Sequence, residues 1–218
     1  MNILCISCSN TKNMGEQSIS TLTTKYIKDL LIENGHKEDE IKTVSLQNYN
    51  VNPCIFCGAC SKTESCPYDE AFNKIYQLIK TSEYIFLVVP YYSIVPAKLT
   101  IILEKMNEIF YASWINGHHF QPKSTQIKIG LIGHGGMIEN EQVLKHYHTH
   151  LITPIANTLK GLGFHIIKES EAYPFGVSFG LLSEKDMYQE DHQVFPTIKH
   201  DEKHIKDRIR NLVLQVNP

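Results

Sequence analysis

Four of the chain's six cysteines fall between Cys54 and Cys66, with the spacing C-x2-C-x2-C-x5-C and Pro67 immediately after. Two-residue gaps let successive thiolates turn toward one cluster, and the small Gly58 and Ala59 allow a tight backbone wrap. A fourth thiolate a few residues later can take the remaining iron, and the trailing proline matches bacterial ferredoxin runs. The pattern therefore points to a [4Fe–4S] cluster on Cys54, Cys57, Cys60 and Cys66. A structural zinc ion is one alternative, although zinc sites more often pair two C-x2-C units across a longer gap. Four reduced thiols around an empty site is the other. Cys5 lies in an apolar run and reads as packing, whereas Cys8 sits in a polar loop as a candidate exposed thiol.

Bulk properties narrow the setting. Six cysteines in a chain whose apolar start, Met1 to Ile6, gives way at once to polar residues read as ligands in a reducing compartment. A net charge of −2 gives nucleic acid and anionic membranes no reason to be partners. No stretch approaches the length of a membrane span. The expectation is a cytoplasmic, soluble protein of 218 residues in a single domain, with a cysteine segment at 53–68 and an irregular C-terminal extension at 171–218.

The elements that must position these residues alternate. Short apolar runs at Asn2–Ser7, Ile41–Leu46, Glu83–Val89, Gln126–Ile132 and Phe164–Lys168 read as strands. Helical periodicity fills Ser18–Glu33, Asp69–Lys80, a stretch opening at Pro96, Glu141–Gly161 with a bend near Pro154, and a polar helix over Asp201–Val216. Ala172–Glu190 reads as irregular. Strands separated by helices imply a parallel sheet covered on both faces, in a dinucleotide-binding or a flavodoxin type of winding. In either, ligands sit at the carboxyl ends of the strands.

Three loops there share a theme. Ser7 through Ser18 is rich in hydroxyls and ends at a helix N-terminus, which suits a phosphate. Neither GxGxxG nor GxxxxGK[ST] is present. Pro90-Tyr91-Tyr92 can edge a planar ring, and Gly133-His134-Gly135-Gly136 lets backbone amides approach a ligand. Together they indicate a flat, phosphorylated cofactor such as FMN. The alternating His146, His148 and His150 do not converge on a helix; only His146 and His150 share a side, and a solvated face is the simpler reading.

In this arrangement the chain resembles, over residues 1–135, the iron–sulfur flavoprotein branch of the NADPH-dependent FMN reductase family. The resemblance implies a flavodoxin-like three-layer α/β sandwich, a five-stranded parallel sheet in order 2-1-3-4-5 carrying a cysteine-rich loop insertion. It implies an FMN-dependent oxidoreductase, with NAD(P)H or a redox partner protein as donor, assembled as a homodimer or homotetramer. It places Ser7, Ser9, Thr11, Lys12, Gln17 and Ser18 near the FMN phosphate. Pro90, Tyr91, Tyr92, Ser93 and Ile94, with Gly133, Gly135 and Gly136, would line the isoalloxazine ring. No side chain need be a covalent catalyst, because the flavin carries the chemistry. The family's usual Gly-Ser-Pro-Arg is here Cys8-Ser9-Asn10-Thr11, which leaves Lys12 to supply the charge.

Overall fold

The computed structural model describes residues 1–10, 12–92, 95–115, 127–182 and 201–217. Strands β1 (Ile3–Ser7), β2 (Ile41–Ser45), β3 (Tyr84–Pro90), β4 (Lys128–Ile138) and β5 (His165–Ile166) form a parallel sheet in the order β2-β1-β3-β4-β5. β1 is buried at every position and β3 at all but its first. That is why their sequences run as unbroken hydrophobic stretches rather than alternating.

Helices cover both faces. α1 (Ile19–Glu33) and α7 (Glu202–Val213) pack on one face through Ile27, Leu30, Leu31, Ile205, Ile209 and Leu212. α3 (Glu70–Thr81), α4 (Ala97–Ile115) and α6 (Thr153–Gly161) cover the other. Asp69 starts α3 by accepting the Phe72 N–H at 2.9 Å, and Phe72, Ile75, Tyr76 and Ile79 then fall on one buried stripe. The bend expected near Pro154 is a π-turn over His148–Ile152, which separates α5 (Glu141–Tyr147) from α6. Pro154 has no N–H to give, and Thr153 Oγ1 donates to the His148 carbonyl at 2.8 Å.

The sheet order agrees with the sequence reading, but the C-terminal part departs from it. Val177–Leu182, expected to be irregular, is a sixth strand, β6, parallel to the upper half of β4 beside the point where β5 stops. β5 is only two residues long, so β5 and β6 share one edge of β4 in succession. α7 is also less of a solvated surface than its charges suggested. Ile205, Ile209, Leu212 and Val213 are buried, and Arg208 donates to the Ser178 carbonyl at 3.0 Å. β6 and α7 thus complete the core. No helix among the described residues is long and apolar enough to cross a membrane.

The turn into β6 depends on Gly176, which has φ +130°; a β-carbon there would lie 2.2 Å from the Leu131 carbonyl oxygen. Gly176→Ala is expected to lose roughly 1–3 kcal/mol or more of stability, read as a lower urea midpoint at unchanged slope. An unchanged midpoint would contradict this placement of β6.

Candidate functional site

The cysteine segment leaves the carboxyl end of β2 and packs along α4. Its loop is irregular up to the single-turn helix α2 (Cys60–Thr63). Two residues turn it with left-handed backbone, Phe56 at φ 51° and Gly58 at φ 69°. The result is a cavity of about 460 Å³ with all four cysteines, Cys54, Cys57, Cys60 and Cys66, on its walls, closed by Lys105, Glu108 and Ile109 of α4. Burial pushes the Cys60 thiol up, and the neighbouring Cys54, Cys57 and Glu108 push it further. Ile55, Phe56, Tyr68, Tyr111 and Ile115 line the same cavity and are exposed.

Among the described residues, no three His, Cys, Asp or Glu side chains are grouped as around a single metal ion. The donor set at the cavity, four cysteines supplying only sulfur, fits an iron–sulfur cluster in kind, as it would a four-cysteine zinc site.

Beneath the cavity lies a buried ion pair. Lys105 Nζ is 2.6 Å from Asp69 Oδ2, both residues being almost fully buried, and also lies 3.7 Å from Cys66 Sγ. Burial pushes the Asp69 carboxyl up, but Lys105 and the Asn52 and Phe72 amides outweigh it and hold it below the ordinary range. Cys66 is gripped from both sides by Asn73, which accepts its N–H at 2.8 Å and donates to its carbonyl at 2.7 Å. Sequence reading missed Asp69, Asn73 and Lys105. The available signal was a lysine standing within the apolar stripe Leu99, Ile102, Leu103, Met106, Ile109.

The second candidate region is the carboxyl edge of β1 and β3. Ser7 is buried, its hydroxyl 3.1 Å from that of Thr21 on α1. Ser9 is buried with its hydroxyl 3.4 Å from the Tyr92 hydroxyl, and Cys8, far from being an exposed thiol, is fully buried. Lys12 and Gln17 are exposed at the two ends of a 3-10 turn. Ser18 sits at the N-cap of α1, where its side chain makes no capping hydrogen bond. Asn10 Oδ1 is buried without a hydrogen-bond partner. Lys98, in the first turn of α4, donates to the Leu46 and Gln47 carbonyls at 2.9 and 3.1 Å. Its pKa is lowered by burial and then by the Lys12 charge, so the two cations lie close enough to repel. A helix N-terminus without a side-chain cap and two lysines close enough to repel fit a phosphate. Thr11, Ser93 and Ile94 lie outside the described residues.

Pro90 ends β3, and Tyr91 follows, its N–H on the His134 carbonyl at 2.7 Å and its hydroxyl 2.9 Å from His146 Nε2. His146 and His150 stand with rings 4.5 Å apart, on the shared side the spacing implied. The glycines differ from expectation: Gly133, Gly135 and Gly136 lie within β4, not in a loop after it. A β-carbon on Gly135 would lie 2.3 Å from the Tyr147 hydroxyl, and one on Gly133 would press on Ile152 at 3.0 Å. Helix packing therefore accounts for two of the three, and only Gly136 is open to solvent.

Between these glycines, His134 is buried against Phe179 of β6 (ring centroids 5.4 Å, 13° between planes), its Nε2 2.8 Å from the Ser20 hydroxyl. Burial pushes its pKa down to about 3, so the ring is neutral. The folded value lies below the unfolded one of about 6.5, so this stability is complete above that pH and drains away toward about 3. Urea unfolding is expected to show a loss approaching 1.4 kcal/mol per pH unit in that window, roughly. His134→Gln should flatten this part of the slope; an unaltered slope would contradict a neutral buried ring.

Comparison with known proteins bears on the family and the fold. A family model described as NADPH-dependent FMN reductase matches residues 1–160. The "Iron-sulfur flavoprotein" of Methanosarcina thermophila is 29% identical over 106 residues, 48% of this chain and 52% of that protein. The chain thus spans about half the length of this curated relative. The solved NAD(P)H:quinone oxidoreductase from Methanothermobacter marburgensis superposes with a TM-score of 0.53 at 16% identity, covering 97% of this chain and 94% of that one. An FMN-dependent NADH-azoreductase from Bacillus anthracis, solved with FMN, gives 0.54 at 12%, covering 99% and 97%. These distant structures speak for the fold. With 160 of 218 residues under the family model, the chain belongs to the NADPH-dependent FMN reductase family.

Proposed function

We propose that the chain is an iron–sulfur flavoprotein, an FMN-dependent oxidoreductase whose carboxyl-edge site holds FMN and whose four-cysteine cavity holds a [4Fe–4S] cluster. FMN bound there would supply two-electron hydride chemistry with a nicotinamide, and a cluster on the four cysteines would supply single-electron transfer. What carries the reading is one cavity walled by all four cysteines in a chain of an FMN reductase family. The partial likeness to an iron–sulfur flavoprotein supports it.

The chain's own residues have binding and orienting roles. The α1 N-terminus, Lys12 and Ser18 take the phosphate, with Ser9 and Gln17 beside them. Tyr91 and Tyr92 border the ring, Tyr91 braced by His146 and Tyr92 by Ser9. Lys105 stands eight residues into α4 from the carboxyl edge, about 12 Å along the helix, so the two sites share a rigid element. The exposed Phe56, Tyr111 and Trp114 support a second copy docking near the cysteine cavity.

Anaerobically purified protein should contain FMN and about four irons per chain, with a broad visible shoulder beside the flavin bands. Cys57→Ser should lose the shoulder and keep the flavin bands. A colourless protein with stoichiometric zinc would contradict the proposal. Lys12→Met should weaken FMN binding about tenfold or more, the scale of a lost charge-assisted hydrogen bond. Riboflavin, which lacks the phosphate, should bind both forms alike; equal FMN affinities would remove Lys12 from the site. Oxidation of NADPH or NADH by the FMN-loaded protein tests the donor.

A further inference from the structure

We propose that Lys105 is a positioning residue for the cysteine site: its buried ammonium, held in place by Asp69, fixes the Cys66 sulfur and favours added negative charge on a sulfur cluster there. The inference rests on the cluster reading above and adds to it a residue outside the cysteine motif.

Three observations carry it. First, Lys105 is buried in a helix face otherwise built from Leu99, Ile102, Leu103, Met106 and Ile109. A methionine or leucine would fill such a position at lower cost, because a buried ion pair seldom stabilises more than apolar side chains of similar volume. Second, the capping role of residue 69 does not require a charge that needs the lysine. Asp69 already accepts the Asn52 and Phe72 amides at 2.8 and 2.9 Å, and an asparagine oxygen could cap α3 equally. Third, the ammonium reaches beyond Asp69. Its remaining hydrogens face Cys66 Sγ at 3.7 Å and the Phe72 ring, whose centroid is 5.4 Å away. Asn73 holds the Cys66 backbone at both ends, so the sulfur has little freedom to leave that contact.

A four-thiolate iron–sulfur cluster is anionic and becomes more so on reduction. Cluster potentials follow net charge and hydrogen bonds to sulfur. Reduction adds one electron to the cluster, from the flavin or from an added reductant, and forms or breaks no bond to the protein. The pair is neutral overall, but its positive end faces one ligand sulfur; it therefore lowers the free energy of the reduced form more than that of the oxidised one, and so raises the potential, without entering the reaction itself.

The test compares wild type, Lys105→Arg and the pair Lys105→Gln/Asp69→Asn, which removes both charges together and strands neither. Each is reconstituted anaerobically with ferrous iron and sulfide and assayed for iron per chain. Each is then titrated with dithionite while the reduced cluster is followed by electron paramagnetic resonance. Wild type and Lys105→Arg should share one midpoint. The neutral pair should be harder to reduce by about tenfold in the equilibrium, a downward shift of about 59 mV for one electron. A merely structural role would change stability or iron content and leave the potential alone, so a neutral pair with the wild-type midpoint overturns the inference. If the Gln/Asn pair fails to fold, Lys105→Met/Asp69→Asn replaces it under the same criterion. Wild type that takes up no iron overturns the cluster reading and this inference with it; iron uptake with unmoved potentials overturns this inference alone.

Discussion

A lysine and an aspartate 2.6 Å apart, both almost wholly out of solvent, are the joint on which the cysteine segment hangs. Neither charge is tolerable there alone; breaking such a pair typically costs about 3–5 kcal/mol. The pair therefore keeps α3 and α4 in one relation, since Asp69 begins the first helix and Lys105 lies within the second. Around it the irregular chain is tied down by directional bonds. The Asn52 amide reaches Asp69, the Cys54 amide reaches Glu104 at 3.4 Å, and Asn73 clasps Cys66. A segment with little regular backbone pairing is thereby given fixed walls, and its four thiols share one space.

The same helix joins this space to the other candidate region. α4 starts at the carboxyl edge, where Lys98 anchors on the Leu46 and Gln47 carbonyls, and runs down past Lys105. At that edge β1 lies between β2 and β3, so the chain leaves neighbouring strands toward different helices. That edge holds unmet polar capacity: a buried Asn10 oxygen, an uncapped α1 start and two lysines in mutual repulsion. On its far side, a neutral His134 bonded to Ser20 and stacked on Phe179 fastens β4 to α1 and β6.

Much of the fold was legible because periodicity is local. Continuous apolar runs found β1 to β4, and the stripes of α1, α3 and α4 followed from residues three and four apart. β6 was hidden because Val177–Leu182 is short, follows an aromatic and glycine-rich stretch, and gains its meaning only from pairing with β4. The glycines of β4 were misplaced for a related reason: their small size answers to Tyr147 and Ile152, contacts invisible from spacing. In the cysteine region the motif itself was plain, but Asp69, Asn73 and Lys105 were not, since their roles arise from tertiary contact. A charge at a core-facing position of α4 was the one trace they left in the sequence.

Whether the cysteine segment is built into the fold is open to direct measurement by hydrogen exchange on the wild-type chain. The Asn52 and Cys66 amides, bonded to Asp69 and Asn73, should exchange far more slowly than exposed amides such as Asn13 in the 3-10 turn. Exchange of Asn52 and Cys66 as fast as that of Asn13 would mean that the buried pair does not hold the segment.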